Sequence, residues 1–337
     1  MGLPRFYEQR ASALPGRSWQ STIMWALAGM VVALYLVVYI PLEATLALHV
    51  HRPAVPYTIR VNTFRRNDLL LNFLTHYDTC VDVKQVQVVW SDTESSPPMN
   101  FLKGLNRKNV VFEVHKENSL NNRFKPEIDI PTDIVLSIDD DLIINCETLQ
   151  FAARVWQSSP RSLVGFSPRI AQVDHATGNT QYMRWQHTWW NGLYSIVLTK
   201  VCFMHKDFLY KYAATVPQAV LTYVDAHRNC EDLAMAFLVA QDPTSMGPTW
   251  VRGHVWEEAD GGISSGASHF VERSMCLAML SKHMPHEPPV TSDTTAAGDG
   301  VTADSRGRLS ERDWPWRLSQ HKVDTIQLAD LSRLIFL

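Results

Sequence analysis

Three consecutive carboxylates, Asp139, Asp140 and Asp141, follow directly on the apolar run Ile134-Val135-Leu136-Ser137-Ile138. Such a run reads as a buried strand. Adjacent carboxylates repel one another, so folding alone gives little reason to place three at its end. A hard divalent cation relieves that repulsion and bridges to phosphate oxygens, typically through one or two carboxylates. The triplet also falls at the carboxyl end of a strand, where α/β sheets open onto a ligand crevice. The alternative is a solvated acidic turn, and the triplet alone does not decide between the two.

Four other segments carry complementary chemistry. Asn118-Ser119-Leu120-Asn121-Asn122-Arg123-Phe124 supplies amides and a guanidinium close before the acidic strand. These groups hydrogen-bond bases, riboses and diphosphates, and the arginine fork suits phosphate. The same asparagines also suit turns and caps. Arg65, just past the first strand, sits where a nucleotide in the crevice would pass, or marks an exposed helix start. Asn229-Cys230-Glu231-Asp232 opens a late helix, where acids either oppose the macrodipole or face a reacting sugar. Gly261-Gly262-Ile263-Ser264-Ser265 leads into His269 and Arg273, which share a helix face. A cation there would stabilise a leaving diphosphate, or form a surface pair.

The elements that must position these groups follow from length and periodicity. The chain has 337 residues, of which 46% are hydrophobic, enough for one large core or two small ones. A net charge of -3 supplies no basic field for nucleic acid. Five scattered cysteines without CxxC spacing argue against zinc and leave at least one thiol unpaired. Ile23 to Leu42 is free of charge over roughly twenty residues, the length of a bilayer-spanning helix. Arg5, Arg10 and Arg17 against Glu8 place the preceding tail in the cytosol. A cleaved signal peptide would have a shorter apolar core and a small-x-small site after it. The expected organisation is a cytosolic tail (1–22), a membrane anchor (23–42), a stem (43–56), a luminal folded domain (57–283) and a disordered tail (284–337). The last fifteen or so residues, VDTIQLADLSRLIFL, suggest a short amphipathic helix. Such a single-pass type II protein would reside in the Golgi or endoplasmic reticulum, where disulfides persist.

Within 57–283 the pattern alternates. Strands are expected at 57–63, 84–90, 110–114, 134–138 and 163–166, with helices beginning at an Asn67-Asp68 cap, over 146–156 and over 231–240. Residues 171–192, rich in His, Gln, Thr, Gly and Trp, read as a long surface loop, and 194–203 as an apolar stretch. Strands separated by helices predict an α/β fold with parallel pairing.

Eight blocks in order, YTIRVNTFRRNDLL, VQVVWSD, ENSLNNRF, VLSIDDDL, VGFSPR, YSIVLT, NCEDLAMAF and GGISSGASHFVERSMC, make residues 57–283 resemble the exostosin-type domain of glycosyltransferase family 64. The resemblance implies a GT-A fold, with a Rossmann-like nucleotide-binding half on a mostly parallel sheet and an acceptor half. It further implies a nucleotide-sugar donor, Mn2+ and retention of anomeric configuration. By position, it implies Asp141 as the direct metal ligand, with Asp139 and Asp140 serving the ribose and the sugar. Arg65, Asn118, Asn122 and Arg123 match donor-binding positions, Asp232 and Arg273 match catalytic positions, and Cys230 and Cys276 match a disulfide pair. UDP-N-acetylglucosamine or UDP-N-acetylgalactosamine is the favoured donor, with a glycan or glycolipid as acceptor. The alternatives are GDP-mannose transfer to a sphingolipid headgroup, a hydrolase of nucleotide sugars, and a non-catalytic glycan-binding protein on the same fold. The stretch Trp185 to Trp190 and the polar tail match nothing in the family pattern. One such domain favours transfer of a single sugar over polymerisation.

Overall fold

A computed structural model of the chain describes residues 17–35, 54–105, 109–173, 180–191, 194–245, 247–258, 269–284 and 322–324. The chain divides into two compact units, Met1–Pro53 and Ala54–Leu337. In the first, helix α1 (Arg17–Leu34) leaves Ile23, Met24, Trp25, Met30 and Leu34 exposed. Among the described residues no helix is long and apolar enough to cross a membrane. The expected span 23–42 is therefore only partly in view, because α1 ends at Leu34 and residues 36–42 lie outside the described residues.

The second unit begins with β1 (Tyr57–Thr63), α2 (Asn67–Tyr77), β2 (Val83–Trp90), β3 (Val110–Val114), β4 (Ile134–Asp139), β5 (Leu142–Ile143) and α3 (Cys146–Gln157). It continues through β6 (Val164–Gly165), β7 (Pro168–Val173), β8 (Thr180–Met183), α4 (Trp185–Asn191), β9 (Ile196–Val197) and β10 (Val201–His205). There follow α5 (Lys206–Thr215), α6 (Gln218–His227), α7 (Glu231–Ala240), β11 (Thr249–Arg252), β12 (Trp256–Glu257), α8 (His269–His283) and β13 (Lys322–Asp324).

Eight strands form one sheet in the order β13-β11-β6-β10-β4-β1-β2-β3. The strands read from the alternating pattern, β4-β1-β2-β3, pair in parallel. Only β10 runs against its neighbours, pairing antiparallel with both β4 and β6. The sheet is thus α/β and largely parallel. Both faces of the sheet are covered, so β4 is largely apolar on each, whereas β1 turns Thr58, Arg60 and Asn62 to one of them. Along β4, Ile134, Leu136 and Ile138 enter a core with Leu70 and Phe73 of α2 and Leu149 and Trp156 of α3. Val135, one residue out of phase, enters a second core with Phe208, Tyr212, Leu233 and Leu277 from α5, α7 and α8. Gly165 is required where β6 meets β10, since a Cβ there would lie 2.5 Å from the Val201 carbonyl oxygen.

Three expectations need correction. Residues 171–192 are not a loop: β7 and β8 form an antiparallel hairpin followed by α4, with 174–179 outside the described residues. Polar composition concealed this because the hairpin is half-exposed, with Ile170, Ala171 and Tyr182 buried beside exposed or half-exposed polar neighbours. Asn67 is the first helical residue of α2 rather than its cap, and Arg66 occupies the N-cap position without a side-chain cap bond. Lys322–Asp324 pairs with β11 as an edge strand, so the segment read as a terminal helix begins as a strand. The remainder of that segment, and Pro285 to Ser310, lie outside the described residues.

Two disulfides staple the second unit. Cys230–Cys276 joins the start of α7 to α8, the pair that the resemblance implied. Cys80–Cys146, not anticipated, joins the segment after α2 to the start of α3. Cys202 is the remaining thiol, buried in β10 with its pKa raised by burial. The Cys80–Cys146 bridge closes a loop with a sequence separation of 66. Its removal as Cys80→Ser with Cys146→Ser is expected to lower stability by about 2–4 kcal/mol. Urea unfolding without reductant checks this, and unchanged midpoints would contradict it.

Candidate functional site

The site is assembled at the carboxyl ends of β1 and β4, which lie side by side with Asn62 opposite Asp139. This register brings Thr63 next to the acidic triplet. Thr63 Oγ1 donates to Asp140 Oδ2 at 2.6 Å. Arg66, from the N-cap of α2, pairs with both Asp140 and Asp141, the latter at 2.9 Å. Burial pushes Asp140 up to about 6, against the opposing pull of Thr63 and Arg66. Burial also raises Asp139, moderated by the Arg123 charge. The repulsion inferred from sequence is thus offset by one guanidinium on each side of the triplet.

Arg123 lies in a short 3-10 turn, Leu120–Phe124. Ser119 caps the turn by accepting from the Asn121 amide at 3.1 Å. Asn121 itself is used internally, bonded to Tyr212, Asp225 and the Leu221 carbonyl. Asn122 Nδ2 donates to Ser91 Oγ, at the end of β2, at 3.0 Å. Arg123 pairs with Asp139 and is buried. Burial works against its charge, but Asp139, Glu231 and Asp232 outweigh that and hold it protonated.

The remaining wall comes from α7 and α8. The chain enters α7 through Cys230, which has a left-handed φ of 82°. That turn is uncommon for a residue with a side chain, and the bridge to Cys276 holds it in place. Asp232 Oδ2 accepts from Arg273 Nη2 at 2.6 Å, and Arg273 Nη1 donates to Asn229 Oδ1 at 3.1 Å. The Arg273 guanidinium also lies over the Tyr182 ring at 4.6 Å. Burial opposes the Arg273 charge, and Asp232 more than restores it. His269, one turn earlier, is lowered by burial and by Arg273. Burial and the adjacent Asp232 push Glu231 up to about 7.

Arg123 connects these two groups, bonded to Asp139 on one side and within the field of Glu231 and Asp232 on the other. The triplet, the turn and the α7–α8 pair therefore form one continuous polar site. The Nε atoms of Arg123 and Arg273 and Nδ2 of Asn229 are buried without a hydrogen-bond partner among the described residues. Buried donors in that condition favour a polar, acceptor-rich ligand.

Of the residues singled out from sequence, Asn122, Arg123, Asp139, Asp140, Asp141, Asp232 and Arg273 converge here. Asn118 is half-buried just before the Ser119 cap. Arg65 stands apart: a left-handed φ of 55° turns it toward Asp92 and Glu94 beyond β2. Its neighbour Arg66 is the arginine that meets the triplet, and sequence reasoning passed over it, as it did Thr63, Ser91 and Tyr182; Asn229 was named only as part of the helix start. The doubled arginine was the available signal, but choosing between the two requires the backbone turn.

Among the described residues no group of three His, Cys, Asp or Glu side chains forms a cage for a metal ion. The donor set nevertheless suits a hard cation that draws further oxygens from a diphosphate. Asp140 and Asp141 already gather one positive charge, that of Arg66, and the Asp141 side chain is 12% exposed toward solvent.

The raised Glu231 makes stability pH-dependent. Between the unfolded carboxylate value near 4.3 and about 7, the folded chain binds more protons than the unfolded one. Stability therefore falls as pH rises through that window. Glu231→Gln is expected to melt above wild type at alkaline pH, with the difference vanishing at acid pH. Thermal melts across that range check this, and a pH-independent difference would refute it.

Residues 57–299 match the Glycosyl transferase family 64 domain. The chain is 39% identical over 236 residues to glycosylinositol phosphorylceramide mannosyl transferase 1 of Arabidopsis thaliana, covering 66% of this chain and 70% of that one. It is 35% identical over 226 residues to exostosin-2 of Homo sapiens, covering 66% of this chain but 31% of that one. Against exostosin-like 2 of Mus musculus the identity is 30% over 236 residues, 66% of this chain and 71% of that one. A family match over most of the chain, on a fold that gathers the acidic strand end, the Asn/Arg turn and the α7–α8 pair, shows that the chain belongs to glycosyltransferase family 64 and is a glycosyltransferase of the exostosin type.

Proposed function

We propose that the protein transfers a single sugar from a nucleoside diphosphate donor to a glycan or glycolipid hydroxyl, with retention of configuration and dependence on Mn2+. The observation that carries this reading is the Arg123 link between the acidic triplet and the Asp232–Arg273 pair. In a transfer reaction negative charge grows on the leaving diphosphate while the sugar becomes cationic. One site must therefore hold groups of both signs close together. Arg66, Arg123 and Arg273 supply the positive side. Asp232 supplies a carboxylate facing the sugar or the acceptor hydroxyl. Asp139 and Asp140 orient the donor. Mn2+, held by Asp141 with Asp140, would act as a Lewis acid toward the diphosphate oxygens. Front-face attack, with the leaving phosphate taking the acceptor proton, requires no second nucleophilic carboxylate.

The greater identity to the Arabidopsis glycosylinositol phosphorylceramide mannosyl transferase supports mannose as the sugar and a sphingolipid headgroup as the acceptor, with GDP-mannose as the donor to test first. A UDP-N-acetylhexosamine, favoured from the family resemblance, is the second reading. Two disulfides in the folded unit and the exposed apolar side chains of α1 support a luminal domain on an N-terminal anchor in the Golgi or endoplasmic reticulum. A panel of nucleotide sugars, assayed with and without Mn2+ for transfer and for free sugar, tests the reading. Metal-stimulated transfer is expected. Free sugar release without transfer would make the protein a hydrolase, and no turnover with any donor would leave a binding protein.

A further inference from the structure

Residue 60 lies on the face of β1 opposite Tyr57, Ile59 and Val61, at a position with no access to solvent. On a sheet covered on both sides an apolar residue is expected there. The chain places an arginine instead, and all five of its N–H groups are used. Nη1 donates to Gln87 Oε1 at 2.8 Å and to Glu113 Oε2 at 2.9 Å. Nη2 donates to Glu113 Oε1 at 2.7 Å and to the Asn122 carbonyl at 3.3 Å. Nε donates to the Arg123 carbonyl at 3.2 Å.

Glu113 is matched as fully. It accepts from His115 and from the backbone amides of Glu127 and Ile128. Burial would raise its pKa, but Arg60 and His115 bring it down to about 2. A buried ion pair of this kind contributes little net stability compared with apolar packing, because desolvation offsets the attraction. Its reason for being there must lie in what it holds. It holds the backbone of the two residues whose side chains reach the donor site. Asn121 fixes the same turn from the other side through Tyr212, Asp225 and the Leu221 carbonyl.

We infer that Arg60 is a positioning residue for the nucleotide donor, clamping the Asn122–Arg123 turn from beneath through its carbonyls. The inference rests on the donor-site reading above. Releasing the clamp lets the turn relax away from Asp139 and Ser91, which weakens donor binding without touching the acceptor side. One lost hydrogen bond to the charged diphosphate is enough to weaken binding by about 10- to 100-fold.

The test uses the full-length chain with Arg60→Met combined with Glu113→Gln, which leaves no unpaired buried charge. UDP and GDP affinities in the presence of Mn2+ are measured by calorimetry, alongside melting temperature and steady-state kinetics. The expected result is nucleotide binding weakened by about 10- to 100-fold. Donor KM should rise by a similar factor, with acceptor KM and the rate at saturating donor little changed. A merely structural arginine would lower the melting temperature and the active fraction while leaving affinity and KM unchanged, and that result overturns the inference. Should the double variant not fold, Arg60→Lys keeps the charge opposite Glu113 but lacks the fork. It should bind nucleotide several-fold more weakly, and wild-type affinity there also overturns the inference. A wild-type chain that binds neither nucleotide overturns the donor reading itself, and the inference with it.

Discussion

Asp232→Asn is expected to lower sugar transfer by about 100- to 1000-fold. The Asp232 side chain is 9% exposed, and its bond to Arg273 is short and buried. Asparagine keeps the size and one acceptor oxygen but removes the charge that, in the proposed mechanism, stabilises a cationic sugar. It also leaves the Arg273 guanidinium buried without its counterion, a loss worth about 3–5 kcal/mol in a buried pair. Part of any activity loss could then reflect unfolding, so melting temperature must be recorded with the rates. The bridge at Cys230–Cys276 and the Asn229 contact to Arg273 should keep the variant folded near room temperature. Nucleotide affinity should change far less than the rate, because Arg123 retains its bond to Asp139. A folded variant that transfers sugar at near wild-type rates would remove Asp232 from its assigned role.

Asp141→Ala is expected to abolish stimulation by Mn2+ and to lower transfer by at least about 100-fold. The predicted contrast with its neighbour sharpens the test. Asp140 is fully buried and bonded to Thr63, so its replacement should cost stability as well as activity. The Asp141 side chain is 12% exposed, and its Arg66 partner is 37% exposed and keeps its pairing with Asp140. Pairs of that kind contribute at most about 1 kcal/mol. The Asp141 variant should therefore melt close to wild type while losing metal dependence. Activity measured with and without added Mn2+ decides the matter. An Asp141→Ala enzyme still stimulated by Mn2+ to the same degree would rule out this residue as the cation ligand.

The parts of the fold that were legible in the chain are those encoded by neighbours in sequence. The four strands of β4-β1-β2-β3 were read from short runs rich in apolar and β-branched residues between turn signals. α7 was read from its 3.6-residue periodicity. β10 was not read as antiparallel, since the stretch from Tyr194 to Phe203 carries no mark of the break after Val197. The hairpin in 171–192 was missed because its polar, half-exposed residues resemble a loop. Cys80 and Cys146 are a sequence separation of 66 apart, and nothing local pairs them.

The same division runs through the site. The residue types were determined by the sequence itself: an acidic strand end, an Asn/Arg turn, an acidic helix start and an arginine one element later. Each is a local pattern, and local patterns survive in a linear string. Which groups meet was decided only by tertiary structure. A single left-handed turn at Arg65 sends that side chain to Asp92 and delivers Arg66 to the triplet. Strand register places Asn62 and Thr63 beside Asp139 and Asp140. Arg60 is one of several polar residues in β1, and only packing shows it buried beneath the Asn122–Arg123 turn. Charge and hydrogen bonding act over a few ångströms in space. Only the packed chain brings residues separated by tens of positions within that range.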